Sequence, residues 1–197
     1  DEKENLSDSR QQALQNIISQ SSNTTIAYGL SYIRSYLGVL NDYLKDKPQE
    51  TRREYSYLLG NLYDQCGEYE KALSLREERL EYVKQNYGED HPYTINVLTG
   101  IAISYSYLKR NQEALQLNER LYAKIKENSK IAPNTKAAIL TNLSNSYYKE
   151  GRYEEALKLS EENLANKIEI YGEDHPSVLL EINNLALSYH KAGNSAH

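Results

Sequence analysis

The sequence predicts an all-α protein made of repeated helical hairpins, and two observations predict this fold class. The motif YGEDHP occurs at residues 87–92 and 171–176, and a weaker copy lies midway, which gives a repeat of 42 residues. Four tyrosines mark that register: Tyr63, Tyr105, Tyr147 and Tyr189. Within each repeat, proline-free segments of helical length are separated by glycine, and no segment shows the alternation typical of a strand.

The N-terminal region predicts a divergent hairpin that caps the array. Residues 7–20 predict a short helix and residues 24–46 a longer one. The longer segment has an apolar stripe with spacings of four and three, formed by Ile26, Leu30, Ile33, Leu37, Leu40 and Leu44. We assign residues 1–48 to this cap.

The repeats follow, each predicted as two helices. In the first repeat, helices over 51–65 and 68–86 end at Gly67 and Gly88, since glycine favours helix C-caps. Asp90 or His91 can then cap the next helix, whose first turn accommodates Pro92. The remaining predicted helices lie near 93–109, 111–128, 134–149, 152–171 and 176–192. The predicted repeat limits are 49–92, 93–133 and 134–175, with 176–197 as the first helix of an incomplete fourth repeat and a tail.

Two sets of residues match the spacing of the tetratricopeptide pattern. They are Leu59, Gly60, Tyr63 and Ala72, and then Leu143, Ser144, Tyr147 and Ala156. Over roughly residues 50–193 the chain therefore resembles tetratricopeptide repeats, of the long type found in kinesin light chains and nephrocystin-3-like proteins. The resemblance implies a right-handed α–α superhelix.

Two family positions depart from the pattern. The position of the family's tryptophan holds Ser56, Leu98, Leu140 and Ile182. The position of the family's phenylalanine holds Arg76, Asn118 and Ser160. We therefore predict that the second helices pack through the preceding position instead, which holds Leu75, Leu117 and Leu159.

The resemblance also implies a binding groove, because the first helices of these repeats line a concave surface that holds peptides or partner domains. Carried over by register, the implied groove has four rungs. These are Tyr57, Asn61, Asp64 and Gln65; Thr99, Ile103, Ser106 and Tyr107; Thr141, Asn145, Tyr148 and Lys149; and Asn183, Leu187, His190 and Lys191. Asparagine can donate to and accept from a peptide backbone. Lys149 and Lys191 lie at one end and Asp64 at the other, so we expect a peptide ligand with an acidic end.

Composition restricts the function classes. The chain has 23 basic and 28 acidic residues, and a net charge of −5 disfavours nucleic-acid binding. No apolar run is long enough to span a membrane, and no signal peptide is visible, so we expect a cytoplasmic protein. The lone Cys66 excludes a disulfide framework. The 19 tyrosines, in a chain without Phe, Trp or Met, are expected near the surface because each hydroxyl requires a partner.

No catalytic motif is present, so we predict neither an enzyme nor a cofactor site. His91 and His175 lie beside carboxylates, but the middle repeat has no histidine there, so we predict helix caps rather than metal ligands.

The leading prediction is a non-catalytic interaction module that acts as an adaptor for a protein or peptide partner. Two alternatives stay open. The chain is a scaffold that forms homo-oligomers through its C-terminal helix, where Leu185 and Tyr189 lack a following partner, or it is the recruiting arm of a larger signalling protein or enzyme.

Overall fold

The computed structural model describes residues 26–128 and 130–195, with side chains described over 29–128 and 130–193. This part of the chain contains eight helices and no strand. They are α1 (Ile26–Leu44), α2 (Gln49–Gln65), α3 (Tyr69–Tyr87), α4 (Pro92–Tyr107), α5 (Asn111–Glu127), α6 (Pro133–Lys149), α7 (Tyr153–Tyr171) and α8 (Pro176–Ser195). Every helix predicted from residue 24 onward is confirmed to within three residues. The helix predicted over 7–20 lies outside the described residues.

The chain forms two compact units, the first ending at Arg79 and the second beginning at Leu80, inside α3. The core of the first unit joins α1 to α2, and the apolar stripe predicted for α1 supplies four of its seven buried members. Its buried members are Ile33, Leu37, Leu40, Leu44, Leu58, Leu59 and Leu62.

In the second unit, α4 to α8 pack in chain order, and α4 also packs against α6. The fully buried apolar side chains include Ile95, Leu121, Ile139, Leu140 and Leu143. No helix in the described ranges is both long and apolar enough to cross a membrane.

The turn inside each hairpin has the same geometry in three repeats. Gly67 and Gly151 adopt the left-handed conformation with φ of 77°, and Lys109 occupies the equivalent position with φ of 62°. In each turn the next residue's amide donates to the carbonyl of the repeat tyrosine at 2.9 Å, as in a Schellman cap. The fourth copy differs, because Gly193 lies within α8. In the second repeat, Lys109 thus adopts a left-handed backbone conformation that favours glycine.

The repeat tyrosines carry a cation over the ring in the same three repeats. The pairs and their centroid distances are Lys71 over Tyr63 at 5.4 Å, Arg110 over Tyr105 at 4.3 Å and Arg152 over Tyr147 at 4.0 Å. Each cation also forms an ion pair with a glutamate three residues away in the sequence. In the first repeat the two residue types are exchanged. Glu68 stands where the next two repeats have an arginine, and Lys71 stands where they have a glutamate.

No tyrosine among the described side chains is fully buried, so the expectation from composition is confirmed. Their hydroxyls reach polar groups on neighbouring helices: Tyr63 donates to Asn41 and Tyr147 to Glu119, both at 3.1 Å. A phenylalanine would lose these bonds between helices.

The predicted packing of the second helices needs a correction. Leu117 and Leu159 are buried as predicted, and Leu75 is half-buried. However, the phenylalanine position does not leave the core, because Arg76, Asn118 and Ser160 are all buried.

Two of these buried polar residues, Arg76 and Ser160, lie against the same register position of the first helix. At Gly60, an added Cβ would lie 3.5 Å from Nε of the Arg76 guanidinium, which is ordinary van der Waals contact. The equivalent of Gly60 is Ala102 where the partner is the smaller Asn118, and a serine where it is Ser160. The Ser144 and Ser160 hydroxyls lie 2.6 Å apart.

Histidine caps begin two of the first helices. The Nδ1 atom of His91 accepts from the amide of Tyr93, and that of His175 from the amide of Ser177, both at 3.2 Å. Each imidazole also stacks on the tyrosine that ends the preceding helix. The cap prediction is confirmed at both linkers, and the linker before α6 has Ala132 without a side-chain cap.

Candidate peptide-binding surface

The sequence-predicted site residues lie on α2, α4, α6 and α8, at the same four steps in each helix. Positions i, i+4, i+7 and i+8 fall within an arc of about 100° around an α-helix, so each set occupies one helical face. Helix α2 belongs to the first unit and the other three helices to the second. The structure therefore groups three of the four rungs in one compact unit.

In the first rung, two of the four residues bind a neighbouring side chain. Arg76 donates to both carboxylate oxygens of Asp64, at 2.6 and 3.2 Å, and to the amide oxygen of Asn61 at 3.2 Å. Tyr57 is exposed and Gln65 is half-buried. The carboxylate of Asp64 is thus neutralised within the protein and does not supply the acidic end of the predicted charge gradient.

On α4, the structure removes one residue from the candidate surface. Thr99 is only 4% exposed, and its hydroxyl donates to the carbonyl of Ile95 at 2.8 Å. Ile103 and Ser106 are half-buried, and Tyr107 is exposed at the end of the helix. Tyr107 therefore offers the most contact area on this rung.

Helix α6 presents an amide and an ammonium group to solvent, since Asn145 and Lys149 are both exposed. Between them, Tyr148 is half-buried and packs edge-on against Tyr153, with ring centroids 5.3 Å apart. This contact fixes the tyrosine ring beside the lysine.

On α8 all four predicted residues are exposed: Asn183, Leu187, His190 and Lys191. They combine an amide, an apolar chain, an imidazole and an ammonium group. This rung can therefore contact both polar and apolar groups of a ligand.

The electrostatics favour an anion near the end of α6. Partial burial lowers the pKa of the Lys149 amine below its ordinary range, and the positive charge of Lys109 lowers it further. The two lysines thus repel each other across the ends of α4 and α6. A bound carboxylate would relieve this repulsion.

Sequence reasoning missed a buried polar network behind this surface. Glu181 is 0% exposed and accepts from Lys167 at 2.8 Å and from Asn163 at 3.0 Å. The same Asn163 amide donates to the hydroxyl of Thr141 at 2.7 Å. Thr141 therefore supports the network from the candidate surface.

The register contains a signal for that network. One repeat earlier, Ile125 stands at the position of Lys167 and Ile139 at the position of Glu181, and both isoleucines are buried. Opposite charges that replace two buried apolar positions of one interface indicate an internal ion pair.

The described residues include no cluster of three or more histidine, cysteine or acidic side chains suited to a metal ion. Burial, followed by the charge of Glu68, raises the pKa of the Cys66 thiol. A raised thiol pKa lowers the thiolate fraction, which is the opposite of what a nucleophile requires.

Residues 53–127 and 135–197 match the tetratricopeptide repeat family, and these segments cover well over half of the chain. The chain belongs to this family. Tetratricopeptide repeats serve as protein-interaction scaffolds, and this chain is one of them. The resemblance read from the sequence is confirmed.

Two of the solved structures that share this fold cover most of this chain. The nearly identical TPR-like repeats assigned to a kinesin light chain of Podosopora anserina share 20% identity with a TM-score of 0.61, over 93% of this chain and 87% of that one. BtubC (BKLC) from P. vanneervenii shares 19% identity with a TM-score of 0.63, over 98% of this chain and 79% of that one. No curated protein sequence gives a significant match. At this identity, the likeness establishes the fold alone.

Proposed function

We propose that the second unit binds an extended peptide with an acidic end on the exposed face of α4, α6 and α8. The observation that carries the proposal is the exposure of Tyr107, Asn145 and Lys149 at register positions of helices that pack against each other. Family membership supports a protein partner for such a face.

Each of these side chains suits a different part of a peptide. The amide of Asn145 can donate to and accept from a backbone without regard to sequence. Tyr107 offers a rigid ring, which loses little conformational entropy when a ligand covers it. Leu187 is exposed on α8 and would contact an apolar side chain.

The orientation of the peptide rests on lysines alone, because Asp64 is paired with Arg76. Lys149 and Lys109 concentrate positive charge near the end of α6, in a chain whose net charge is −5. A C-terminal carboxylate or an acidic side chain would bind there by charge-assisted hydrogen bonds.

A peptide-display selection on the chain tests the proposal. We expect the unchanged chain to enrich one peptide motif, and the Asn145→Ala/Lys149→Glu variant not to bind that motif. The matched control, Gln112→Ala/Lys158→Glu, changes exposed residues of the second helices by the same chemistry and should retain the motif. Enrichment that survives the first double substitution, or no enrichment at all, would refute this surface.

The acidic end has its own test by calorimetry. For a selected peptide, Lys149→Glu should weaken binding at least tenfold, which corresponds to about 1.4 kcal/mol. Amidation of the peptide's C-terminus should produce a similar loss if that carboxylate is the acidic end. Equal affinity for all forms would leave peptide binding in place but remove the proposed orientation.

A second candidate is self-association through α8. Leu179 is 58% exposed and Ile182 is 46% exposed, whereas their equivalents one repeat earlier, Ala137 and Leu140, are buried. Light scattering over a concentration series should then show an oligomer that Leu179→Gln/Ile182→Gln abolishes. The control substitution Val39→Gln, at an exposed position of α1, should leave it unchanged. A monomer at every concentration would exclude this candidate.

A further inference from the structure

The first unit contains a cavity that has no part in the candidate peptide-binding surface. Its volume is about 240 Å³, and it lies between the end of α1, the start of α2 and the middle of α3. None of the four first-rung residues lines it. Any ligand here is therefore separate from the proposed peptide.

The wall of this cavity is strongly basic. Lys45, Arg52, Arg53 and Arg79 line it, and Glu78 is the only acidic residue among the described side chains of the lining. Like charges in a partly enclosed space repel more strongly than in bulk water, because the surrounding dielectric constant is lower. An anion bound inside would convert this repulsion into attraction.

Hydrogen bonds to carbonyl and hydroxyl oxygens contribute to the placement of two of the guanidinium groups. Arg52 donates to the carbonyls of Lys47 and Lys45, at 3.0 and 2.9 Å, across the link between α1 and α2. Arg79 donates to the carbonyl of Arg53 at 3.2 Å and to the hydroxyl of Ser56 at 3.0 Å. The site is thus arranged before any ligand arrives, which lowers the entropic cost of binding.

The N-terminus of α2 adds to the positive potential. This helix begins at Gln49, and Pro48 before it supplies no side-chain cap. Arg52 and Arg53 lie in the first turns, so the positive end of the helix dipole is close to the cavity.

We infer that this cavity binds a phosphoryl oxyanion, either free phosphate or the phosphate of a small phosphomonoester. A guanidinium fork matches the geometry of a phosphate, which can accept two parallel hydrogen bonds from it. The volume is below the roughly 300–1,000 Å³ of pockets that enclose drug-sized ligands. It suits one phosphoryl group with the few atoms that carry it.

Titration of the ¹⁵N-labelled chain with inorganic phosphate, at an ionic strength held constant with sodium chloride, tests the site. We expect saturable shifts confined to amides of residues 45–56 and 75–79. O-phosphoserine, in a parallel titration, separates the two sources: tighter binding than phosphate identifies a phosphomonoester, and equal binding identifies free phosphate. Shifts that do not saturate, or that spread over both units, would overturn the inference and indicate only adventitious ion binding.

Substitutions of opposite sign distinguish binding from a structural effect. Arg53→Gln should weaken phosphate binding at least tenfold. Glu78→Gln should strengthen it several-fold, because the carboxylate opposes the anion and the new amide oxygen can still accept from Gln49. Lys158→Gln, at an exposed position of the second unit, should have no effect.

If Arg53→Gln fails to fold by circular dichroism, Lys45→Gln replaces it, since Lys45 is exposed at the rim. That variant should weaken binding about threefold. Affinity that is unchanged in both Lys45→Gln and Glu78→Gln would overturn the inference. A decrease on Glu78→Gln would also overturn it, because it would show that this side chain supports the fold of the cavity rather than its charge.

Discussion

The ion pair between Lys167 and Glu181 offers a direct test of how the repeats pack. The Nζ atom of Lys167 lies 2.8 Å from Oε2 of Glu181, and the two residues are 7% and 0% exposed. The equivalent residues one repeat earlier are the buried Ile125 and Ile139. We therefore consider Lys167→Ile, Glu181→Ile and the double variant, which installs a pair that the chain already accommodates elsewhere.

The magnitudes follow from the cost of an uncompensated buried charge. Either single substitution leaves one ion without its partner and should lower the free energy of unfolding by about 3–5 kcal/mol. The double substitution removes both charges. Asn163 then loses an acceptor at 3.0 Å and Thr141 a longer one at 3.5 Å, at a cost of about 1 kcal/mol. We expect the double variant to lie within about 1 kcal/mol of the wild type, or above it.

The assay is guanidinium denaturation followed by circular dichroism, with hydrogen exchange to localise the effect. Contacts in repeat arrays are between neighbours, so unfolding need not be a single transition. Loss of amide protection in the single variants should therefore concentrate in α7 and α8. Lys158→Ile, at an exposed position of α7, is the control and should change stability by less than about 0.5 kcal/mol.

Two results would refute the reasoning. Single substitutions that cost less than about 1 kcal/mol would mean that water reaches the pair and screens it. A double variant that is no more stable than the less stable of the two single variants would mean that α8 packs on α7 differently from the way α6 packs on α5.

Three further predictions concern the turns, the thiol and the caps. Lys109→Gly should raise the free energy of unfolding by about 0.5–1 kcal/mol, because the strain of a left-handed backbone in lysine exceeds the conformational entropy that glycine loses on folding. Gly151→Ala should lower the free energy of unfolding by a similar amount. Because its pKa is raised, Cys66 should react with iodoacetamide at pH 8 more slowly than free cysteine does, with a rate that rises as the pH increases further. His91→Ala should lower stability by about 1 kcal/mol through loss of the bond from the Tyr93 amide, as measured by the denaturation midpoint.

Each of these predictions has a control within the chain. Gly38 lies inside α1 without a positive φ, so Gly38→Ala should stabilise, whereas Gly151→Ala should not. The thiol of denatured protein should react as fast as free cysteine, and equal rates before and after denaturation would contradict the raised pKa. His91→Asn keeps a capping acceptor and should restore most of the stability lost in His91→Ala; no recovery would assign the histidine's contribution to stacking on Tyr87.

The sequence predicted the helices well because their signals are local. Gly67 and Gly151 end helices through backbone conformation, and His91 begins one through a bond to an amide two residues later. Such effects depend on neighbours in the chain, and the 42-residue register repeated them often enough to be recognised.

The predicted site fared less evenly, for a reason that depends on packing. Resemblance assigned Asp64 and Thr99 to a binding face, but Arg76 pairs with the first and the core covers the second. Which way a polar side chain turns depends on residues one helix away. No pattern in the sequence predicted that Arg76 would be buried and paired with Asp64.

The sequence by itself determined the all-α class and the order of the described helices, because periodicity and capping depend on residues close together in the chain. The family came from the resemblance of its repeats to tetratricopeptide repeats. Only the tertiary structure decided which polar residues pair with each other, as Arg76 does with Asp64, and which basic residues surround a common cavity. Electrostatic energies fall with distance in space rather than along the chain. Charges far apart in the sequence therefore acquire their partners, and a site acquires its chemistry, only when the helices pack.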